Sequence, residues 1–121
     1  MTLLTRRRTL LIAGGALLVP GKVALAHHGW GSYDAENPLE LTGTIEAIVY
    51  DWPHAEMMLA TGEQTWEVVL GPPSRTQGRG LTEDIAVPGT EATVMGYPHR
   101  SRETEIRVEG VRVNGETFQM R

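Results

Sequence analysis

The sequence predicts an all-β domain, a small five- to six-stranded Greek-key barrel resembling an OB-fold, preceded by a cleavable signal helix. Three observations predict it. The apolar segments are short and rich in β-branched residues, 14 Gly and 7 Pro recur at short intervals, and helical periodicity is weak throughout. The 121 residues suit one core and are too few for two.

Taken in order, the chain opens with an address. Thr5-Arg6-Arg7-Arg8-Thr9 is followed by a small apolar run from Leu10 to Val19 and then by an Ala24-Leu25-Ala26 end. A basic start, a short apolar centre and an Ala-x-Ala end make a secretory signal over residues 1–26, cut after Ala26. The run is well short of the ~20 residues that cross a bilayer. Paired arginines beside Leu10-Leu11 resemble a twin-arginine signal, so the expected location is periplasmic or secreted. An uncleaved signal would be the one route to a membrane. Residues 27–38 then read as an extended N-terminal segment, and 39–121 as the barrel.

The first barrel strand is Leu39–Tyr50, in which Leu41, Gly43, Ile45, Ala47 and Val49 alternate with Thr42, Thr44, Glu46 and Ile48. Gly43 within it suggests a bend or bulge. Pro53 separates this strand from Ala55–Ala60, and Thr61-Gly62-Glu63-Gln64 turns the chain into Thr65–Leu70. Ser74–Asp84, polar and holding Gly78 and Gly80, reads as a loop with one short turn. Val87-Pro88-Gly89-Thr90 makes a turn before Glu91–Tyr97. The final pair is Glu103–Val113 and Glu116–Met120, joined by Asn114-Gly115, a strong hairpin signal. An open sandwich is the main rival to barrel closure.

Charge narrows the partners. Residues 27–121 contain seven Arg, no Lys and fifteen Asp plus Glu, a formal charge of −8. Nucleic-acid affinity depends on neutralising phosphates with Lys and Arg, so no nucleic-acid partner is expected. The chain has no Cys, which removes disulfides, thiolate metal sites and thiol nucleophiles. Arg100, Arg102, Arg107 and Arg112 alternate with Glu103, Glu105 and Glu109, a pattern read as a mixed solvated face.

Four histidines, His27, His28, His54 and His99, are the candidate chemistry. A cut after Ala26 makes His27 the mature N-terminus, where its α-amine and ring Nδ1 can chelate one metal ion. A second imidazole completes three nitrogens, an open planar set that suits copper(II). The amine, with a reference pKa of ~7.7–8.0, must first lose its proton, so binding should strengthen through neutrality. His54, in the rigid corner Asp51-Trp52-Pro53-His54, is one candidate for that imidazole; His28 and His99 are the others. Strand alternation puts His54, Glu56 and Met58 on one face and Ala55, Met57 and Leu59 on the other. The second set reads as core, leaving Glu56 and Met58 as weaker ligands beside His54. The plain alternative is that the terminal pair is merely solvated and the Pro-His corner only holds a backbone carbonyl.

A rival reading uses aromatics. Trp66 heads an apolar alternation and reads as core, whereas Trp30 and Trp52 lie among Gly and Pro and would form a carbohydrate- or peptide-binding surface with no metal. The expected partner is therefore a metal ion or small ligand, with a periplasmic protein as a further candidate. No catalytic set is identified, and an oxidative copper enzyme is a third, weaker reading.

With these residues in view, the chain resembles a family of small exported bacterial proteins known only as a domain of unknown function. Its members begin His-His after the signal and carry Leu-Thr-Gly-Thr, an Asn-Pro-His corner, a Trp-bearing strand and a Pro/Gly turn. The matching stretches are His27-His28, Leu41-Thr42-Gly43-Thr44, Pro53-His54, Trp66 and Val87-Pro88-Gly89. Trp52 stands where the family has Asn, and Val69 where an acidic residue commonly follows the tryptophan. The resemblance lends no activity. It implies that His27, His28 and His54 form the distinctive set.

Overall fold

Apolar–polar alternation from Leu39 makes β1 (Leu39–Val49), and the chain then folds back twice through β2 (Glu56–Ala60) and β3 (Thr65–Val69). A short helix α1 (Pro73–Gly78) precedes β4 (Glu91–Pro98), β5 (Glu105–Val113) and β6 (Glu116–Gln119). These elements come from a computed structural model, which describes residues 29–121. The expected signal, its cut and both His27 and His28 lie outside the described residues. The chain divides into two units, Met1–Ser32 and Tyr33–Arg121. The described part of the first holds a single 3-10 turn, Trp30–Ser32; the second holds the sheet.

Strand order is β3-β2-β1-β4-β5-β6, and β3 also pairs in parallel with β5. That pairing closes β1-β2-β3-β5-β4 into a five-stranded barrel of OB topology, with β6 added beside the second half of β5. The open sandwich is thereby excluded. Closure removes the edges of β3 and of the first half of β5, which would otherwise present unpaired backbone groups. Inside lie Ile45, Met57, Leu59, Val68, Val94 and Ile106, all fully buried, each contributing about 1.5–3 kcal/mol by burial.

Two local readings need correction. The alternation of β1 does not run unbroken: a bulge at Glu46, between Ile45 and Ala47, shifts the register. Beyond it Ile48 packs on the core and Val49 is 48% exposed, the reverse of simple alternation. Gly43 is not the bulge. It is needed because a Cβ there would stand 2.1 Å from the Ala60 carbonyl oxygen of β2. The second correction is α1, where a loop was expected. Pro73 starts the helix at a position that has no N–H to lose. Thr76 is fully buried and its hydroxyl donates to the Gly71 carbonyl at 3.0 Å. Gly78 and Gly80, which argued against a helix, stand at its exit, with Gly80 at φ +108.

The hairpin signal at Asn114-Gly115 is met by φ values of 54° and 81°, the left-handed pair that a two-residue turn between twisted strands requires.

Gly96 of β4 tests the closeness of the barrel wall. A Cβ there would meet the Arg107 carbonyl oxygen at 2.1 Å. Gly96→Ala should destabilise by about 1–3 kcal/mol, as overpacking does, read as a lower urea midpoint at unchanged m-value; an unchanged midpoint would contradict this packing.

Candidate functional site

The start of β2, the end of β3 and the start of β5 lie side by side, so their outward side chains form two rows. Glu105, Glu67 and Met58 make one; Arg107, Val69 and Glu56 make the other. The expected inward set of Ala55, Met57 and Leu59 is fully buried, while Glu56 is exposed and His54 and Met58 are half-buried. The β1–β2 loop and the β4–β5 loop end on these rows, and each carries a histidine.

The β1–β2 loop is held behind by two backbone bonds, Ala55 N–H to the Gly71 carbonyl and Leu70 N–H to the Ala55 carbonyl, both 2.9 Å. Its start is fixed by Tyr50, whose hydroxyl donates to the Leu81 carbonyl at 2.8 Å. The Trp52-Pro53 peptide is cis. His54 leaves this corner with Nε2 3.2 Å from Nη2 of Arg107. A guanidinium only donates, so His54 Nε2 accepts and the ring proton sits on Nδ1. Val49, Asp51, Trp52, Pro53, His54 and Glu56 line a cavity of about 310 Å³, over which Trp52 is 79% exposed.

His99 is tied differently. Its Nδ1 accepts the backbone N–H groups of Ser101 and Arg102, each at 3.1 Å, closing the β4–β5 loop on itself. Its own N–H donates to the Glu105 carbonyl at 2.9 Å. Tyr33 bridges to His99, meets that ring edge-on at 5.1 Å, and donates its hydroxyl to Glu105 Oε2 at 2.5 Å. The next residue, Asp34, donates its N–H to the Pro98 carbonyl at 2.8 Å.

Glu105 is 5% exposed and Arg107 8%, so they are not the solvated face that charge alternation predicted. Tyr33, 72 positions upstream, stands on Glu105 and turns an outward position into a buried one. The second carboxylate oxygen, Oε1, has the Arg102 guanidinium 3.1 Å away as an ion pair whose geometry falls short of a hydrogen bond. Burial, then the hydrogen bond to Glu105 and its charge, push the Tyr33 hydroxyl pKa well up. Burial pushes the Arg107 guanidinium down. Glu56 is raised to about 7, first by desolvation of its carboxyl, then by a hydrogen bond and charge repulsion from Glu67.

The candidate ligands are thus distributed unevenly. His54, Glu56 and Met58 share one patch, and His99 reaches its border through Tyr33 and Glu105. Among the described residues no three His, Cys, Asp or Glu side chains converge as a metal-binding group. Trp30 lies in the turn of the first unit. Tyr33, Glu67, Glu105 and Arg107 were not singled out as site residues; the sequence signal available was a Glu-x-Arg pair at alternate positions of a strand whose other face is apolar.

Comparison with known proteins adds the family. Residues 16–107 match the family of unknown function DUF6152. The chain belongs to DUF6152. This agrees with the expected kinship to an uncharacterised family, and the match takes in the β1–β2 corner, the β4–β5 loop and the Glu105–Arg107 pair. No curated protein is significantly similar to this DUF6152 member. Among solved structures it is similar to a chain in the crystal structure of the S. pombe Stn1-ten1 complex, at 18% identity and a TM-score of 0.49. The alignment covers 65% of this chain and 59% of that one.

Two outcomes follow from the patch. Tyr33→Phe removes the donor from a buried carboxylate and should cost about 1–3 kcal/mol, read by urea unfolding; an unchanged midpoint would refute the latch. Glu56 holds its proton more tightly folded than unfolded, where a carboxyl sits near its ordinary value of 4.5. Stability should therefore fall as pH rises from about 4.5 to 7, the window in which only the folded state keeps the proton. Glu56→Gln should flatten that fall; an identical slope in melts across the window would contradict it.

Proposed function

We propose that this DUF6152 member is an exported, non-enzymatic metal-binding barrel, best suited to copper. The mature N-terminal His27, through its amine and ring, and His54 would be the ligands, with His28 as the additional one. The observation that carries this reading is the shared attachment of two segments. His54 is held at Arg107, and Tyr33 is held at Glu105, two residues from Arg107 along the same strand face. Tyr33 is six positions after His27. At ~3.5 Å per extended residue, six residues would span at most about 20 Å, the limit within which a His27 ligand would have to act.

His99 is left out of this ligand set. With Nδ1 accepting two N–H groups, its proton belongs on Nε2, and moving that proton to free Nε2 would set three N–H groups against one another. Its role is to shape the loop that receives Tyr33. Glu56 and Met58 remain the weaker ligands. The periplasmic location and twin-arginine route belong to the same proposal, since processing must expose His27. A second reading has its own support: the 79% exposure of Trp52 over a cavity holding Asp51 and Glu56 suits a sugar ring or a peptide.

The test is copper(II) titration of residues 27–121 by calorimetry at neutral pH. One extra residue before His27, or His54→Ala, should each weaken binding at least about tenfold, and wild-type affinity should rise with pH. Affinity indifferent to both changes would overturn the metal reading. Glycan-induced shifts in Trp52 fluorescence, lost in Trp52→Ala and unaffected by chelator, would favour the second.

A further inference from the structure

The β1–β2 corner carries an apolar surface that the core leaves uncovered. Trp52 is 79% exposed and Val49 48%. With Asp51, Pro53, His54 and Glu56 they line the cavity of about 310 Å³. The exposure of Val49 follows from the bulge at Glu46. Without the extra residue, alternation would send Val49 inward with Ile45; bulges beside binding sites re-aim side chains in this way. The corner is fixed from behind by the Ala55 N–H on the Gly71 carbonyl and by the Tyr50 hydroxyl on the Leu81 carbonyl. Its lining is therefore formed before any ligand arrives, which keeps the ordering cost of binding low.

We infer that this cavity binds a small organic cation, a substituted ammonium ion whose alkyl groups rest on Val49, Trp52 and Pro53 and whose charge faces Asp51 and Glu56. The inference deepens the second reading above and rests on it, since both take the Trp52 cavity as a ligand site. It uses described residues alone and no metal. Size is the first reason: ligand pockets run from about 300 to 1,000 Å³, and one at the lower end admits a head group rather than an extended chain. Charge is the second. The lining holds two carboxylates and neither Lys nor Arg. The Arg107 guanidinium is 8% exposed, sits on His54 Nε2 and is not among the lining residues. Third, the face of an indole attracts cations more strongly than any other side-chain ring. A bare ammonium is compact and strongly hydrated, so apolar walls would strip its water and return little. Alkyl groups on the nitrogen give those walls something to bury.

Proton binding is linked to this site through Glu56. The charges acting on Glu56 are Glu67 of β3, Glu105 of β5 and Arg102 of the β4–β5 loop. Asp51 and His54 share its cavity, and Arg107 stands in its row with Val69 between. Burial first, and then the carboxylates, hold the Glu56 pKa at about 7 against the pull of Arg102. A bound cation favours the ionised form, so affinity should rise as pH passes upward through about 7.

The test is nitrogen-15 NMR of the full chain at fixed ionic strength. Choline is the probe, its uncharged carbon isostere dimethylbutanol the shape control, and glucose the sugar. Choline should shift the Trp52 indole N–H and the amides of Asp51–Glu56 saturably. The isostere should bind at least about threefold more weakly, and choline affinity should rise several-fold between about pH 6 and about pH 8. Trp52→Ala should lose the binding, and Glu56→Gln should remove its pH dependence; both side chains are exposed, so neither change empties the core. Equal binding of choline and the isostere would overturn the inference without recourse to any variant. Glucose shifting Trp52 while choline does not would overturn it and leave the second reading standing. Response to neither would overturn the inference and the sugar reading together.

Discussion

A carboxylate buried on the outside of a barrel needs partners, and Glu105 finds them in segments far apart in the chain. Leaving such a charge unpaired would cost several kcal/mol, so its presence obliges Tyr33 and Arg102 to stand where they do. Tyr33 in turn fixes the β4–β5 loop through His99 and the start of the barrel chain through Asp34. Two residues along the same strand, Arg107 repeats the arrangement with His54 as acceptor. One short stretch of β5 thus gathers the N-terminal approach, the β1–β2 corner and the β4–β5 loop. The barrel supplies the platform; these two charged residues decide what is assembled on it.

This arrangement makes the two histidines among the described residues unequal. His99 spends its Nδ1 on backbone, and its ring on Tyr33, so it shapes a loop. His54 instead meets a side chain, the Arg107 guanidinium, and stands beside the outward carboxylate of Glu56. The same distinction separates the carboxylates. Glu105 is locked by short contacts, whereas the Glu56 pKa is held at about 7 by desolvation first and then by Glu67 on the neighbouring strand.

Much of the fold was legible in the sequence because closure depends on local signals. Alternation in Ala55–Ala60 and Thr65–Val69, the Asn114-Gly115 turn and the regular Gly and Pro spacing each act over a few residues. The bulge at Glu46 was not legible, since an extra residue in one strand is defined only by its partner, Met58 on β2. Nor was α1, whose start depends on Pro73 being the first helical residue rather than a breaker. At the site, the outward placement of His54, Glu56 and Met58 followed from a period of two. The burial of Glu105 and Arg107 did not, because the residue that covers Glu105 is 72 positions away. Charge alternation reports which side chains share a face and is silent on what lies over it.

The proposed copper ligation would require His27 of the processed chain to bind the same ion as His54. Paramagnetic broadening by copper(II) in the amide NMR spectrum of residues 27–121 tests it most directly. Signals of Tyr33, His54, His99 and Glu105 should broaden together at low copper while the turns at Gly62 and Gly115, at the other end of the strands, stay sharp. Broadening confined to the terminal residues, or centred on those distant turns, would contradict it.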